Sequence, residues 1–497
     1  MEIQPKEYQI QIELTQQEQN IFEVLLETKR YFQLDCVLRV VGGWVRDKII
    51  RRVSHDIDIT IEGMSGMEYS QYVVKYLQSK DIQTKTISNP DKSQHLQTAT
   101  VTICDLPIDF NSPRAEIYHE DSRIPEITIG TLLDDCLRRD FTINCLFYRI
   151  EDGIIEDFTT GYEDLMNKTI KTPIDPIKSF KDDPLRIFRG IRFSSKYGYQ
   201  IDKETYQAMS HPDVLKGITK ASKSRRLPEI DNILLSQSPS YGFHCFRECE
   251  LLKEILQSDQ SKICDWKSII SDSIELMYLC ESLYKALFCN SNQFNNLYYN
   301  QYHLKSLLLS SICYHFLNYT FTMKKKILPL HPNIIIEGFK YSAKERDDVE
   351  LILEGLKQLQ NSSFDSIETE RLVYGRILLK SKDLFYCVFI LSQALQLRGK
   401  YSLCDHPDVS FQFMLNQNDI QDVMNHYNKI HQLHLYDVWN MQYALNGNEI
   451  AALYQSKKGK WVSFALSALL EYQILHPDFT VDDCKQYLLE KKFHEMK

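Results

Sequence analysis

Asp56 and Asp58 stand two apart in "HDIDIT", which closes the stretch Val40–Thr60, "VVGGWVRDKIIRRVSHDIDIT". In a strand, side chains at i and i+2 leave the same face. The two carboxylates therefore share a face, while Ile57 and Ile59 point the other way into a core. Two acceptor-only groups side by side repel unless a cation lies between them. Mg²⁺ suits such a pair, because it takes one or two carboxylates and completes its shell with water and substrate phosphates. An edge strand with a polar outer face produces the same spacing, so the pair alone leaves a metal site and a plain surface both open.

The residues just upstream narrow the choice. "VVGGWVRD" reads as a strand, a Gly42-Gly43 turn and a helix start, a geometry that lets backbone amides approach a phosphate closely. The spacing fits neither a Walker A loop nor a dinucleotide fingerprint, and a purely structural turn competes with phosphate binding. "IDFN" supplies Asp109 on another strand-like run, with Ile108 and Phe110 facing away. Asp109 is a third carboxylate or the polar side of that strand. A glycine turn followed so closely by an Asp-x-Asp strand describes the entry to a nucleotidyltransferase active site.

The elements that must position these residues follow from hydrophobic period. Ile21, Val24, Leu25 and Leu26 fall on one side of a helix within residues 1–35. Strands are expected at Cys36–Val41, Ile57–Ile61, Thr98–Cys104, Ile108–Phe110 and Asn144–Tyr148, with helices at Val45–Ile50 and Met67–Gln78. That alternation predicts an α/β or α+β domain ending near residue 150. From about residue 155 onward nearly every segment has helical spacing. Proline and serine mark breaks at "KTPIDPIKSF" (171–180) and "SQSPSYGF" (236–243).

Composition sets the outer bounds. A chain of 497 residues with 43% hydrophobic and 25% charged residues has material for two to four domains. A net charge of −9 argues against a general nucleic-acid coat, although steering depends on where charge sits. Between Lys178 and Arg226, twelve Lys/Arg face five Asp/Glu, a local basic excess in an acidic protein. Solvated helix faces and phosphate-binding tracks both produce such runs. Thirteen cysteines lack a repeating spacing, and Cys245 and Cys249 have no second pair to complete a zinc site. They read as free thiols in a reducing compartment. No run of about 18 apolar residues indicates a membrane span. The N-terminus, "MEIQPKEYQIQIELTQQEQ", carries several glutamates and one lysine, unlike a basic transit peptide.

Read in order, these motifs resemble the class II tRNA nucleotidyltransferases, the CCA-adding enzymes, in their eukaryotic form. "GGWVRD…HDID" resembles the catalytic motif, and "LRRDFTINCLFY" (137–148) the ribose-reading motif, with Cys145 where alanine or serine is usual. "EDFTTGYEDL" (156–165) looks like the hinge motif, and "DDPLRIFRGIRF" (182–193) the nucleotide template, with Asp182 where bacterial relatives carry glutamate. "SRRLPEI" (224–230) is a weaker likeness to a helix-stabilising motif that keeps Arg225 and Glu229. "KKGKWVSFALSALLEYQILHPDFTVDDC" is similar to the tail of fungal and plant members. The resemblance covers about 36–235 and 445–490, and the span 250–440 matches only as generic helix.

The resemblance implies that Asp56 and Asp58 hold two Mg²⁺ ions, that Gly42, Gly43 and Arg46 serve the triphosphate, and that Arg139 and Asp140 serve the phosphate and ribose of the incoming nucleotide. Asp183, Arg186 and Arg189 lie three apart on one helix face, and a carboxylate beside a guanidinium can read a base edge. Asp183 would accept from the exocyclic amine shared by cytosine and adenine, and Arg186 would donate to the neighbouring ring acceptor. An N-cap role for Asp183 before Pro184 competes with this reading. The polar segment 112–130, with two prolines, is expected to be a mobile loop. A loop here favours complete CCA addition.

The expected architecture is an α/β nucleotidyltransferase head, a small mixed sheet with helices, followed by a mostly α-helical neck, body and tail. The boundaries are an N-terminal extension (1–35), catalytic head (36–150), neck with the template (151–235), body (236–400) and tRNA-binding tail (401–497). The expected activity is template-independent addition of C, C and A to tRNA from CTP and ATP. A CC-adding or A-adding enzyme, or a poly(A) polymerase of the same superfamily, is the alternative. The expected location is cytoplasm or nucleus, with mitochondria as a further destination.

Overall fold

The apolar run before the glycine pair becomes a central strand of the head. The computed structural model describes residues 4–54, 56–82, 86–87, 98–117, 126–256, 265–288, 300–323, 325–403, 408–411, 413–433, 435 and 438–495. The chain divides into two units, Met1–Ser238 and Pro239–Lys497, and the division falls inside the stretch 236–243.

The first unit opens with β1 (Lys6–Tyr8), α1 (Gln16–Tyr31), β2 (Val37–Val41), α2 (Gly43–Ile49), β3 (Ile57–Glu62) and α3 (Gly66–Ser79). It continues through β4 (Thr86–Ile87), β5 (Ala99–Ile103), β6 (Leu106–Asn111), β7 (Arg114–Ile117), β8 (Glu126–Ile129), α4 (Leu132–Leu137), β9 (Leu146–Arg149) and β10 (Ile155–Asp157). Among the described residues, an eight-stranded sheet runs β1-β10-β9-β2-β3-β6-β5-β4. β3 and β6 are parallel, and their neighbours pair antiparallel. The sheet therefore draws strands from both sides of residues 36–150.

Local chemistry explains the elements. Thr15 and Glu18 form a capping box that starts α1, and Ile21, Phe22 and Leu25 of that helix are buried. On β3, Ile57, Ile59 and Ile61 are buried while Asp58 is partly exposed, as a period of two requires. Leu38, Val40, Ile59, Tyr69, Val73 and Phe110 belong to the same core, so the sheet behind the carboxylates is a rigid base.

The expectation of a loop over 112–130 is corrected. Arg114–Ile117 pairs antiparallel with Glu126–Ile129, Glu116 lying opposite Ile127. The β-branched run Ile127-Thr128-Ile129 favours a strand, and the charged residues around it mask that signal. Residues 118–125 of the segment lie outside the described residues.

The neck region comprises α5 (Gly161–Met166), β11 (Thr169–Ile170), α6 (Pro176–Asp182), α7 (Leu185–Tyr197), β12 (Gln200–Ile201), α8 (Lys203–Met209), α9 (Pro212–Lys216) and α10 (Lys223–Leu234). β11 and β12 pair in parallel, and α10 packs on α7. The second unit is mostly helical, its long members including Trp266–Phe288, Gln301–Tyr314, Ala343–Gln360 and Trp461–Leu475. It also contains one hairpin, Thr320–Met323 with Lys326–Pro329, that helical spacing did not announce. None of the described helices is long and apolar enough to cross a membrane.

Candidate active site

β2 delivers the chain to Gly42, whose φ of +80° and ψ of −129° suit glycine. A Cβ there would stand 3.1 Å from Arg139 Nη1, so the missing side chain also makes room for that guanidinium. A Cβ at Gly43 would meet Arg46 Nη2 at an ordinary 3.6 Å. Beside this turn, Asp58 lies opposite Val41 on β2 and in register with Asp109 on β6. Asp56 is exposed just before β3, which begins at Ile57, so the strand expected to carry both carboxylates carries only Asp58, and His55 lies outside the described residues. Burial, and then the neighbouring charge of Asp56, push the Asp58 carboxyl up to about 6, with Asp109 adding to the rise and Arg139 opposing it. Thr100 Oγ1 donates to Asp109 Oδ1 at 2.5 Å, which orients this third carboxylate from the neighbouring strand.

Carboxylate crowding of this kind is what a bound cation relieves. Among the described residues, no group of three or more His, Cys, Asp or Glu side chains is arranged to hold an ion alone. The donor set at Asp56 and Asp58 is therefore two hard oxygen ligands with an open remainder, which fits Mg²⁺ sharing water and phosphate.

α4, capped by Thr131 and Asp134, leads into the segment 137–148. Asp135, 1% exposed, accepts from Arg138 Nε at 2.9 Å and from Arg139 Nη2 at 2.7 Å. Asp140 is saturated within the protein. Its Oδ1 accepts from the Phe141 amide at 2.9 Å and Asn144 Nδ2 at 2.8 Å, and its Oδ2 from Arg189 at 2.7 Å. Burial alone would raise its pKa, but Arg189 and Asn144 pull the carboxyl down to about 2.

Of the three residues expected to share one helix face, α7 carries only Arg186 and Arg189; Asp183 ends α6, before Pro184, and each of the three is already engaged. Asp183 Oδ1 accepts from the Leu185 amide at 3.1 Å, a local capping contact, although Pro184 and not Asp183 takes the N-cap position of α7. Its Oδ2 accepts from Arg225 Nη2 at 3.0 Å. Arg186 is buried and donates to Ser179 Oγ at 2.7 Å and to the Arg138 carbonyl at 2.6 Å. Arg189 joins Asp140, with Glu229 at 3.8 Å, and Arg192 donates to Glu229 Oε2 at 2.5 Å. Arg46 is likewise committed. It donates to both oxygens of Asp47 and, at 2.5 Å, to Asn144 Oδ1, and its guanidinium lies over the rings of Phe193 and Tyr197.

The structure thus gathers Asp58, Asp109, Gly42 and Arg139 at one end of the central strands, and binds Asp140 to Arg189. It shows Asp183 paired with Arg225, with Arg186 bound elsewhere. Asp135 and Asn144 support the site without having been singled out from sequence, and Arg225 and Glu229, read there as parts of a helix-stabilising motif, hold Asp183 and Arg192. For Asp135 the signal existed: it stands three and four residues before Arg138 and Arg139, the spacing of helical neighbours.

Comparison with known proteins places this geometry. A family model described as the poly A polymerase head domain matches residues 38–171, and one described as the probable RNA and SrmB-binding site of polymerase A matches 198–260. A tRNA nucleotidyltransferase of Schizosaccharomyces pombe is 30% identical over 492 residues, 94% of this chain and 95% of its own. A mitochondrial CCA tRNA nucleotidyltransferase of Candida glabrata is 27% identical over 530 residues, 96% of each chain. The Thermotoga maritima CCA-adding enzyme complexed with tRNA shares the fold, with a TM-score of 0.61 at 17% identity over 97% of this chain and 100% of that one. Identity sustained along nearly the full length of both chains makes this protein a member of the tRNA nucleotidyltransferase family, the family of the CCA-adding enzymes.

Proposed function

We propose that the protein adds C, C and A to the 3′ end of tRNA, using CTP and ATP, releasing pyrophosphate at each step and reading no nucleic-acid template. The observation that carries this reading is the register of Asp58 with Asp109 beside the Gly42 turn. Crowded carboxylates and a phosphate-accommodating turn are what nucleotidyl transfer needs in one place.

Nucleotidyltransferases of this superfamily work with divalent metals, and we assign Mg²⁺ to Asp56 and Asp58. When bound, it supplies Lewis acidity to the 3′-hydroxyl of tRNA and neutralises charge on the triphosphate. The chain's own residues supply the rest. Asp109 stands beside Asp58 as a third, fixed negative group. Backbone amides after Gly42 and Gly43, together with Arg139, receive the triphosphate, and Arg46 holds α2 in place through Asp47 and Asn144. Asp140 serves the ribose end by fixing Arg189 and Asn144. Asp183 accepts from the exocyclic amine of cytosine or adenine once Arg225 yields it, Arg186 and Arg189 completing the face. Uracil and guanine turn a carbonyl toward Asp183, a mismatch that leaves buried polar groups unpaired.

The regions take the roles of a catalytic head (36–150, completed by β1 and α1 of residues 1–35 and by β10), template-bearing neck (151–235), body (236–400) and tRNA-binding tail (401–497). We place the protein in the cytoplasm or nucleus with mitochondria as a further destination, which the Candida glabrata relative named as mitochondrial supports. Incubating tRNA lacking CCA with labelled CTP and ATP, and resolving products to one nucleotide, tests the activity. Three additions in the order C, C, A are expected. Arrest after two identifies a CC-adding enzyme, ATP use only on tRNA ending in CC an A-adding one, and long A tracts a poly(A) polymerase.

A further inference from the structure

One buried carboxylate in the site has no part in the scheme above. Asp135 sits within α4 at 1% exposure and is shared by two arginines that then diverge. Arg139 gives it both Nε, at 3.1 Å, and Nη2, at 2.7 Å, while its Nη1 projects to the Gly42 turn. Arg138 gives it Nε at 2.9 Å and reaches Glu116 of β7 with Nη1 at 3.2 Å. The Arg138 carbonyl in turn accepts from Arg186 of α7 at 2.6 Å. Arg114 closes the chain with Glu116 at 3.3 Å.

This arrangement answers a physical problem. Arg139 lies within the field of Asp58, and an arginine with no other partner is drawn onto the nearest carboxylate. There it would neutralise the ligand that the cation needs and leave the triphosphate unmet. A fixed fork on Asp135 holds the guanidinium back while leaving Nη1 toward the turn. Both arginines draw the Asp135 carboxyl below the usual range against the effect of burial, so it stays ionised.

We propose that Asp135 is a positioning residue for nucleotide binding: it holds Arg139 at the Gly42 turn and anchors Arg138 between the β7–β8 hairpin and the template helix. The inference rests on the reading of Arg139 as a triphosphate contact. Arg139 places two charge-assisted bonds on the one oxygen Oδ2, and charge-assisted bonds are stronger than neutral ones, so their loss should be felt in nucleotide affinity before chemistry.

The test compares Asp135→Asn, Asp135→Glu, Arg139→Gln and the double variant Asp135→Asn/Arg139→Gln in the full chain. Measurements are KM and kcat for CTP and ATP, the Kd for tRNA, and circular dichroism. Asp135→Asn is expected to raise both nucleotide KM values about tenfold, with kcat changed less than about threefold and tRNA affinity held within about twofold. Asp135→Glu, which keeps the charge, should restore most of the KM. In the Arg139→Gln background the Asp135 substitution should add nothing, because its effect runs through Arg139. If Asp135→Asn folds poorly, Arg139→Lys replaces it. A lysine offers Asp135 one point of contact instead of a fork, so KM must rise there too. Wild-type KM in Asp135→Asn or Arg139→Lys, or additive effects in the double variant, overturns the inference. An unchanged KM in Arg139→Gln instead removes the triphosphate reading of Arg139 beneath it.

Discussion

Replacing Asp140 by asparagine should cost the head more stability than any surface change, and the cost should depend on acid in a defined way. The carboxylate accepts from Arg189, Asn144 and the Phe141 amide, and its pKa falls from 3.8 to about 2. At 1.36 kcal/mol per unit, that depression is worth about 2 kcal/mol. Asparagine keeps the shape and one acceptor oxygen but loses the charge, leaving Arg189 with Glu229 at 3.8 Å. The sign follows from linkage. A depressed carboxyl contributes stability that is present above the unfolded pKa and lost as pH falls through the folded one. The difference between wild type and Asp140→Asn should therefore be full at pH 7, about half by pH 3, and nearly gone at pH 2. Native-state hydrogen exchange over residues 185–197 isolates this element from the other unit. A variant within about 0.5 kcal/mol of wild type at pH 7 would refute the reasoning. So would a difference that does not shrink with acid. The same variant separates two roles. Because protein donors already occupy both oxygens, CTP and dCTP incorporation should weaken by similar factors. Loss of ribose discrimination at wild-type stability would mean that Asp140 touches the sugar itself.

Asp58→Asn should leave tRNA binding within a few-fold and reduce incorporation below about one-hundredth, since it removes a metal ligand. Retention of a higher rate sinks that assignment. Asp183→Ala should lose CTP-over-UTP selectivity, whereas loss of the Leu185 capping contact alone costs about 1 kcal/mol and leaves selectivity intact; incorporation of both nucleotides beside a melting curve decides. Shortening residues 114–128 to a glycine-serine linker breaks the Glu116–Arg138 contact. It should leave CC addition near normal and stop the product before A, and equal loss of C and A addition would remove the hairpin from the switch.

The catalytic strand was legible because its signal is local. Alternation over Asp56–Ile59 sets the faces by backbone geometry alone, and Gly42 marks a turn wherever the chain passes through positive φ. The partners of the template residues were not legible, since no periodicity encodes them. Asp183 meets Arg225 across 42 positions and Arg186 meets the Arg138 carbonyl across 48. Arg46 shows the same limit. Its place beside the glycines suggested the triphosphate, yet Asn144, 98 positions away, takes its Nη1. The 112–130 segment failed for another reason: prolines and charges outweighed a short β-branched run whose pairing partner lies within the same segment.

The basic run Lys178–Arg226 shows how sequence charge differs from presented charge. Its arginines are tied to protein partners: the buried Arg186 and Arg226 donate to carbonyls, while Arg189, Arg192 and the partly exposed Arg225 pair with Asp140, Glu229 and Asp183. Lys178, Lys181, Lys196, Lys203 and Lys216 are exposed. That division follows from the side chains, since a planar fork suits fixed ion pairs and a strongly hydrated ammonium suits the surface. The exposed lysines, then, are the better placed to face tRNA phosphates, and the net excess of the run overstates the track by its paired arginines. The consequence is measurable, because each phosphate contact sets part of the salt dependence of binding. Lys178→Gln with Lys181→Gln, both on α6, should weaken tRNA binding and lower the slope of log Kd against log salt by about one per lysine. The KM for CTP should stay unchanged, because neither side chain belongs to the nucleotide site. An unaltered slope would take α6 off the tRNA path and leave the arginine lattice, with its catalytic assignments, untouched.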